Sequence, residues 1–281
     1  MVLPNFMVIG AQRSGTTLLH KILDAHPDVF VSNRRKEVHY FDRYFDRGAD
    51  WYSEFFPSQE EAGEYRAIGE VTPDYIFYPE VPRRIRDLIP DCRFVLSLRN
   101  PVDRAFSGYM HHRRSFNERR RFDDFLDGDQ DAVPRGFYHQ QITRYLEAFP
   151  RSAFLILIYE ELVGDPAASL ERIREFLGLT GGWPDAEGLL AERINAAPQP
   201  RFPAAFYLAR RFGAFLRYND LDPIVEAAKR LRLPAVFGQR PIGPRMSPAT
   251  RARLEALYDE DVRKLEHLLQ RDLRPWWQPS P

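Results

Sequence analysis

The sequence predicts an α/β fold: a doubly wound parallel sheet of P-loop type, flanked by helices, in a single domain. Three observations carry this. Phe6-Met7-Val8-Ile9-Gly10 has the pattern of a buried strand and passes through Ala11 to Gly15 into a helical segment that starts at Thr16. A second apolar run, Arg93 to Leu98, delivers Arg99-Asn100-Pro101, where proline suits the first turn of a helix. Strand-like and helix-like stretches alternate along the chain, the order that covers both faces of a parallel sheet with helices.

The elements follow from local patterning. Thr16 to His26 carries Leu18, Leu19, Ile22 and Leu23 at helical spacing, and Pro27 stops it. Asp28 to Val31 and Ala67 to Gly69 are expected as strands near the first, with a helix over Val81 to Leu88. Ala153 to Ile158 is another continuously apolar strand, and Pro166 to Leu177 an amphipathic helix. From Pro198 to Pro248 the chain is rich in proline and arginine, with helical patterning in Ala204 to Leu216 and Pro223 to Leu231. A basic amphipathic helix can lie on a membrane, but a partly exposed helix over a core is the commoner case, so 198–248 is expected to form a lid or acceptor-side wall. Met246-Ser247-Pro248 opens a last helix to about Gln270, with Leu254, Leu257, Val262, Leu265, Leu268 and Leu269 as its apolar set. Trp276 and Trp277 are expected to dock the tail. There is no internal repeat.

Composition narrows the function. The 281 residues fit one enzyme domain over 1–281, and a formal net charge of zero predicts no nonspecific grip on nucleic acid, so any basic site is local. Cys92 is the only cysteine, which excludes a disulfide within the chain and a thiolate metal cluster. His-Glu-x-x-His and Gly-x-Ser-x-Gly are both absent. No stretch reaches the ~20 apolar residues of a membrane span, and the first strand begins without a charged or apolar leader. A cytoplasmic location follows as the expectation.

The loop itself is informative. Gly10 and Gly15 have the G-x-x-x-x-G spacing of a phosphate cradle, in which backbone N–H groups and a helix N-terminus converge on an anion. Thr16 stands where an ATPase carries the lysine that reaches the outer phosphates. The nearby cation is Arg13, inside the loop, suited to the 5′ end of a nucleotide that has no γ-phosphate. Arg99 and Ser107, about two helical turns apart, offer a guanidinium fork and a hydroxyl to a second phosphate. A nucleotide phosphorylated at both 5′ and 3′ positions fits this pair of anion sites.

The segments Gly10 to Thr17, Lys36-Glu37-Val38-His39-Tyr40-Phe41-Asp42, Thr72-Pro73-Asp74-Tyr75 and Leu98 to Ser107 together resemble the sulfotransferases that use 3′-phosphoadenosine 5′-phosphosulfate (PAPS). The likeness is to the heparan sulfate N- and 3-O-sulfotransferase branch, and it extends through Gly136-Phe137-Tyr138, Glu160 to Pro166 and Phe176 to Leu179. It implies PAPS as co-substrate with PAP as product, transfer to a hydroxyl or amine of a small molecule or glycan, and no metal requirement. It implies Glu37 as general base and Arg13 on the leaving 5′-phosphate and sulfuryl group. Ser14, Gly15, Thr16 and Thr17 would supply amides and hydroxyls, with Arg99 and Ser107 on the 3′-phosphate.

By the same resemblance His111 approaches the sulfuryl group, and His39, Asp42 and Asp74 face the acceptor. Tyr138 resembles a position near the 3′-phosphate, and Arg240 and Arg245 lie where a basic loop closes over the nucleotide. Without the resemblance, Glu37 reads as a surface ion-pair partner of Lys36 or an arginine, His111 as a surface histidine and Tyr138 as packing. His39 and Asp42 can equally hold the Glu37 loop in place. Val71 departs from the glycan members, which often carry lysine there; this argues against a polyanionic acceptor. The animal glycan enzymes are membrane-anchored in the Golgi, so a bacterial protein is expected instead. A nucleotide or small-molecule kinase and a catalytically silent PAP-binding protein are the alternatives.

Overall fold

The computed structural model describes residues 1–184, 199–200, 211–213, 215–216, 221, 224, 239–240 and 245–277. A five-stranded sheet, order β2-β3-β1-β4-β5, is built from β1 (Phe6–Gly10), β2 (Val29–Val31), β3 (Ala67–Val71), β4 (Arg93–Leu98) and β5 (Phe154–Ile158). Every neighbouring pair is parallel. Alternation along the strands splits the core between two faces. Met7, Ile9, Phe94 and Leu96 face one apolar cluster, whereas Phe6, Val8 and Val95 face the other.

The first face is covered by α2 (Tyr40–Arg43), α3 (Gly48–Ser53), α5 (Val81–Leu88), α6 (Pro101–Ser115), α7 (Phe122–Gly128), α8 (Tyr138–Leu146) and α11 (Pro248–Leu269); α4 (Gln59–Ala62) is a single capped turn nearby. The second is covered by α1 (Thr16–Asp24), α9 (Tyr159–Gly164) and α10 (Pro166–Leu177). The expected helices over 81–88 and 166–177 and the strand over 93–98 have the expected bounds. The first helix ends at Asp24 rather than His26, because the chain turns and the Asp28 N–H donates to His26 Nδ1 at 3.2 Å. The strand expected over 67–69 runs on to Val71, all five residues buried. The last helix is capped by Ser247, whose Oγ accepts the Thr250 N–H at 3.0 Å, and is closed by Gln270 in the left-handed region. Leu257 departs from its expected apolar face and is exposed.

Trp276 docks as expected and is buried, with Trp277 packed partly against the same cluster. Most of 198–248, including the two helices expected at 204–216 and 223–231, lies outside the described residues. Its described parts include the short antiparallel pair β6 (Gln199–Pro200) and β7 (Gln239–Arg240).

Candidate active site

The functional loops gather at the carboxyl ends of β1, β3 and β4, the edge where open α/β sheets bind ligands. Two glycines bound the phosphate loop for steric reasons. A Cβ on Gly10 would lie 2.6 Å from Ile76, and Gly15 has φ +83° with the Tyr159 ring 2.9 Å from where its Cβ would be. Between them Arg13 is itself left-handed at φ 72°, a conformation that aims successive N–H groups inward.

Arg13 Nε donates to Ser107 Oγ at 3.3 Å, and its carbonyl accepts from Arg99 at 3.4 Å. The expected 5′- and 3′-side residues therefore meet. Burial, then the nearby Arg114, Arg99 and Arg104, push the Arg13 guanidinium down to about 10, with Glu37 acting against them. Crowded cations of this kind fit a multiply charged anion. Tyr138 and Ser14 are fully buried beside this loop, and neither hydroxyl completes a well-formed hydrogen bond. Two buried hydroxyls with spare hydrogen-bonding capacity next to a cationic cluster are the pattern a phosphate satisfies. Thr16 is buried at the helix start; Thr17 is exposed, and its Oγ1 accepts from Lys36 at 2.9 Å.

Lys36 joins this half to the other. Its Nζ also donates to Glu37 Oε1 at 3.2 Å. Beyond Glu37 the charges alternate: His39 Nε2 lies 3.5 Å from Glu37, His39 Nδ1 2.9 Å from Asp42, Arg43 Nε 3.6 Å from Asp42, and Arg43 2.9 Å from Asp74. Asp74 accepts from Arg135 at 2.8 Å and from Gln12 Nε2 at 3.2 Å, and Arg135 reaches Asp131 at 3.3 Å. The expected acceptor-side residues His39, Asp42 and Asp74 are thus one connected row.

Burial alone would raise the Glu37 carboxyl, but its hydrogen bond to His39 and the Lys36 charge hold it down at about 2. His39 moves the other way: burial lowers it, and the bonds to Asp42 and Glu37 outweigh that and lift it to about 9. The apolar side chains that follow Glu37 in sequence, Val38, Tyr40 and Phe41, belong to the core. Their packing anchors the loop while charged groups set its protonation.

A buried carboxylate fixes the same segment from behind. Glu70, on β3, accepts from Thr72 Oγ1 at 2.7 Å, from Tyr75 OH at 3.1 Å and from Tyr52 OH. Thr72 Oγ1 in turn accepts the Val38 N–H at 3.1 Å, and Tyr75 OH the Phe41 N–H at 3.3 Å. Both ends of the Glu37-bearing segment hang on Glu70. Burial raises the Glu70 carboxyl and the three hydroxyl donors oppose that.

His111 lies one turn past Ser107 on α6, half-buried, with its ring 5.9 Å from Phe116 and 6.3 Å from His112. Arg240 is paired with Gln199 in the short antiparallel ladder, and Arg245 is exposed ahead of α11. Sequence reasoning left out Lys36, Gln12, Arg43, Arg104, Arg114, Arg135 and Glu70 as site residues. Lys36, Gln12 and Arg43 had a signal, since they adjoin Glu37, Arg13 and Asp42, and Arg104 lies within the Leu98-to-Ser107 motif; Arg114, Arg135 and Glu70 join the site only through contacts between distant segments.

Fold and site define a nucleotide-binding α/β transferase whose anion cradle lacks the ATPase lysine. A sulfotransferase domain model matches residues 3–192. The chain is 32% identical over 245 residues to mouse heparan sulfate glucosamine 3-O-sulfotransferase 6, covering 76% of this chain and 69% of that protein. It is 32% identical over 198 residues to human bifunctional heparan sulfate N-deacetylase/N-sulfotransferase 2, covering 63% of this chain and 22% of that one. The crystal structure of a sulfotransferase from Alicyclobacillus acidocaldarius is similar at TM-score 0.72 and 27% identity, over 99% of this chain and 100% of that chain. A mouse sulfotransferase complexed with PAP shares the fold at TM-score 0.54 and 18% identity, over 92% of this chain and 84% of that chain.

The chain belongs to the sulfotransferase family. It is a PAPS-dependent sulfotransferase, and the kinase and silent-binding alternatives are not favoured. Among the described residues no helix is long and apolar enough to cross a membrane.

Proposed function

We propose that Glu37 is the general base of sulfuryl transfer to a hydroxyl or amine of a glycan or small molecule. The observation that carries this is Lys36, which bonds at once to Thr17 of the phosphate loop and to Glu37. It joins the anion cradle to a carboxylate whose side chain is 41% exposed and so open to an acceptor.

Bound PAPS supplies the sulfuryl group, whose bond to the 5′-phosphate breaks as the bond to the acceptor atom forms. Arg13 and the amides of Ser14 to Thr17 hold the 5′-phosphate and offset the charge that grows on it. Arg99 and Ser107 hold the 3′-phosphate, with Tyr138 closing the buried side; Arg240 and Arg245 are assigned to closure over the nucleotide. Lys36, drawn towards the transferring group, loosens its hold on Glu37, whose proton affinity then rises from its low resting value. Glu37 takes the acceptor's proton. His39, protonated at neutral pH, and Asp42 orient it; His111 is proposed to meet the sulfuryl oxygens from α6.

The acceptor side favours a sugar or small molecule of low charge. Asp74 engages both Arg43 and Arg135, so these cations are already matched. The glycan reading draws on the heparan sulfate relatives, and the bacterial setting on the end-to-end match to the Alicyclobacillus chain. Cell fractionation tests the cytoplasmic location. The function is tested by following PAP release from PAPS over neutral glucosaminyl oligosaccharides, sulfated oligosaccharides and phenols. Turnover with a neutral acceptor, abolished by Glu37→Gln, is expected; turnover confined to highly sulfated chains refutes the low-charge reading.

A further inference from the structure

The end of the described chain is built into the wall behind Arg99. After α11, Gln270 turns the backbone at φ 50° and Glu266 Oε1 accepts the Leu273 N–H at 2.7 Å. Leu273 and Trp276 are buried. The Trp276 indole Nε1–H donates to Glu160 Oε2 at 3.2 Å, while Glu160 Oε1 accepts the Asn100 N–H at 3.1 Å. Asn100 Nδ2 donates to the Trp276 carbonyl. The same Asn100 caps α6, its Oδ1 accepting from Val102 N–H at 2.9 Å and Asp103 N–H at 3.3 Å.

This closed circuit of Asn100, Glu160 and Trp276 sits next to the anion site on two sides. Asn100 adjoins Arg99 and starts the helix that carries Ser107. Tyr159, which adjoins Glu160, lies under the Arg99 guanidinium, 4.8 Å from ring centre to carbon. The Trp276 ring stands 6.2 Å from that of Tyr138. Glu160 is exposed at its rim, yet partial burial of its carboxyl raises it against the N–H donors from Asn100 and Trp276.

We infer that Trp276 and Glu160 form a latch through which the C-terminal segment positions Arg99 and Ser107 for the nucleotide's 3′-phosphate. Neither residue touches the nucleotide; both are positioning residues. The inference rests on the proposed reading that Arg99 and Ser107 hold that phosphate. Asn100 is a short lever. With its backbone N–H and side chain both tied to the latch, the first turn of α6 cannot rotate, and the Arg99 fork stays aimed.

Calorimetry with PAP and with AMP, which lacks the 3′-phosphate, tests this in the full chain. Trp276→Phe keeps the ring packing and removes the indole donor; Glu160→Gln replaces one acceptor oxygen by a donor. Each is expected to weaken PAP by about threefold to tenfold, the worth of a lost hydrogen bond, and to leave AMP unchanged. In an Arg99→Ala background, Trp276→Phe should cost no further PAP affinity, because the group it positions is gone. Thermal melts establish that each variant is folded, and Glu160→Gln decides if Trp276→Phe is not. Equal weakening of PAP and AMP, or an unchanged PAP preference in a folded variant, overturns the latch. A wild-type protein that binds PAP and AMP equally overturns the Arg99 and Ser107 assignment and the latch with it.

Discussion

The His39 imidazole lies 3.5 Å from the Glu37 carboxylate through Nε2 and 2.9 Å from Asp42 through Nδ1. One ring therefore bridges two carboxylates, and only its doubly protonated form can donate to both. This makes His39 a fixed cation at neutral pH. It leaves Glu37 as the proton acceptor of the pair.

A dependence of stability on pH follows. His39 is raised from 6.5 to about 9 on folding, so its contribution is fully present below 6.5 and is lost as the pH climbs through about 9. Glu37 is depressed from 4.5 to about 2, so its share is present above 4.5 and lost as pH falls towards 2; its exposure and solvent screening keep that share small. Urea midpoints measured from pH 6 to 9.5, a range of about 3.5 units chosen to span the imidazole titration, should decline in the wild type and flatten in His39→Asn. Parallel slopes for the two proteins would mean that His39 does not carry the charge assigned to it.

The Glu70 node predicts a separation of fold from activity. Thr72→Val removes both the donor to Glu70 and the acceptor of the Val38 N–H. It should lower stability by about 1–3 kcal/mol, the cost of unsatisfied buried groups. Turnover should fall as well while PAP affinity holds, since the phosphate loop does not hang on Thr72. Chemical denaturation, calorimetry and rate measurements on one preparation check this; loss of PAP binding in a folded Thr72→Val would assign Thr72 elsewhere.

Much of this architecture was legible because it is local. Gly10 and Gly15 announce a tight loop, Pro101 and Pro166 announce helix starts, and the continuous apolar runs 93–98 and 154–158 read as parallel strands because both faces are covered. Of the row of charges beyond Glu37, the resemblance marked His39, Asp42 and Asp74 but not the arginines that tie them together. Asp74 meets Arg43 and Arg135 across 31 and 61 residues, and no local period records such pairings. Glu70 was hidden for a different reason. A carboxylate inside a fully buried strand contradicts the hydrophobic pattern, and the hydroxyls of Tyr52, Thr72 and Tyr75 that make it tolerable are spread over three segments.

Donor choice is the next consequence. Thr16 occupies the lysine position, and Lys36 reaches the loop from outside, bonded to Thr17 rather than aimed past a γ-phosphate. His39, Asp42 and Asp74 present ligand atoms within 4.8 Å of one another, yet guanidiniums of Arg43 and Arg135 already engage the two aspartates. PAPS turnover is therefore expected to persist in EDTA, and ATP with magnesium to give no transfer. Phosphoryl transfer from ATP that EDTA abolishes would contradict this.

The last prediction concerns Glu37 itself. Glu37→Gln preserves shape and one acceptor oxygen but removes the proton acceptor. It should lower turnover by roughly 10²–10⁴-fold, the usual worth of a positioned base, with PAP affinity nearly unchanged. The alternative role, an ion-pair partner of Lys36 at the rim, predicts something different: a half-exposed pair is worth only ~0–1 kcal/mol of stability, and its loss leaves the rate intact. Lys36→Ala separates the two further. Removing the lysine releases Glu37 from its low resting value but also takes a cation from the loop side, so stability should change little while turnover falls. Single-turnover rates at saturating PAPS and acceptor read the chemical step directly. A Glu37→Gln protein that transfers at near the wild-type rate under those conditions would displace Glu37 as base and make His111, on the same side as Ser107, the group to test next.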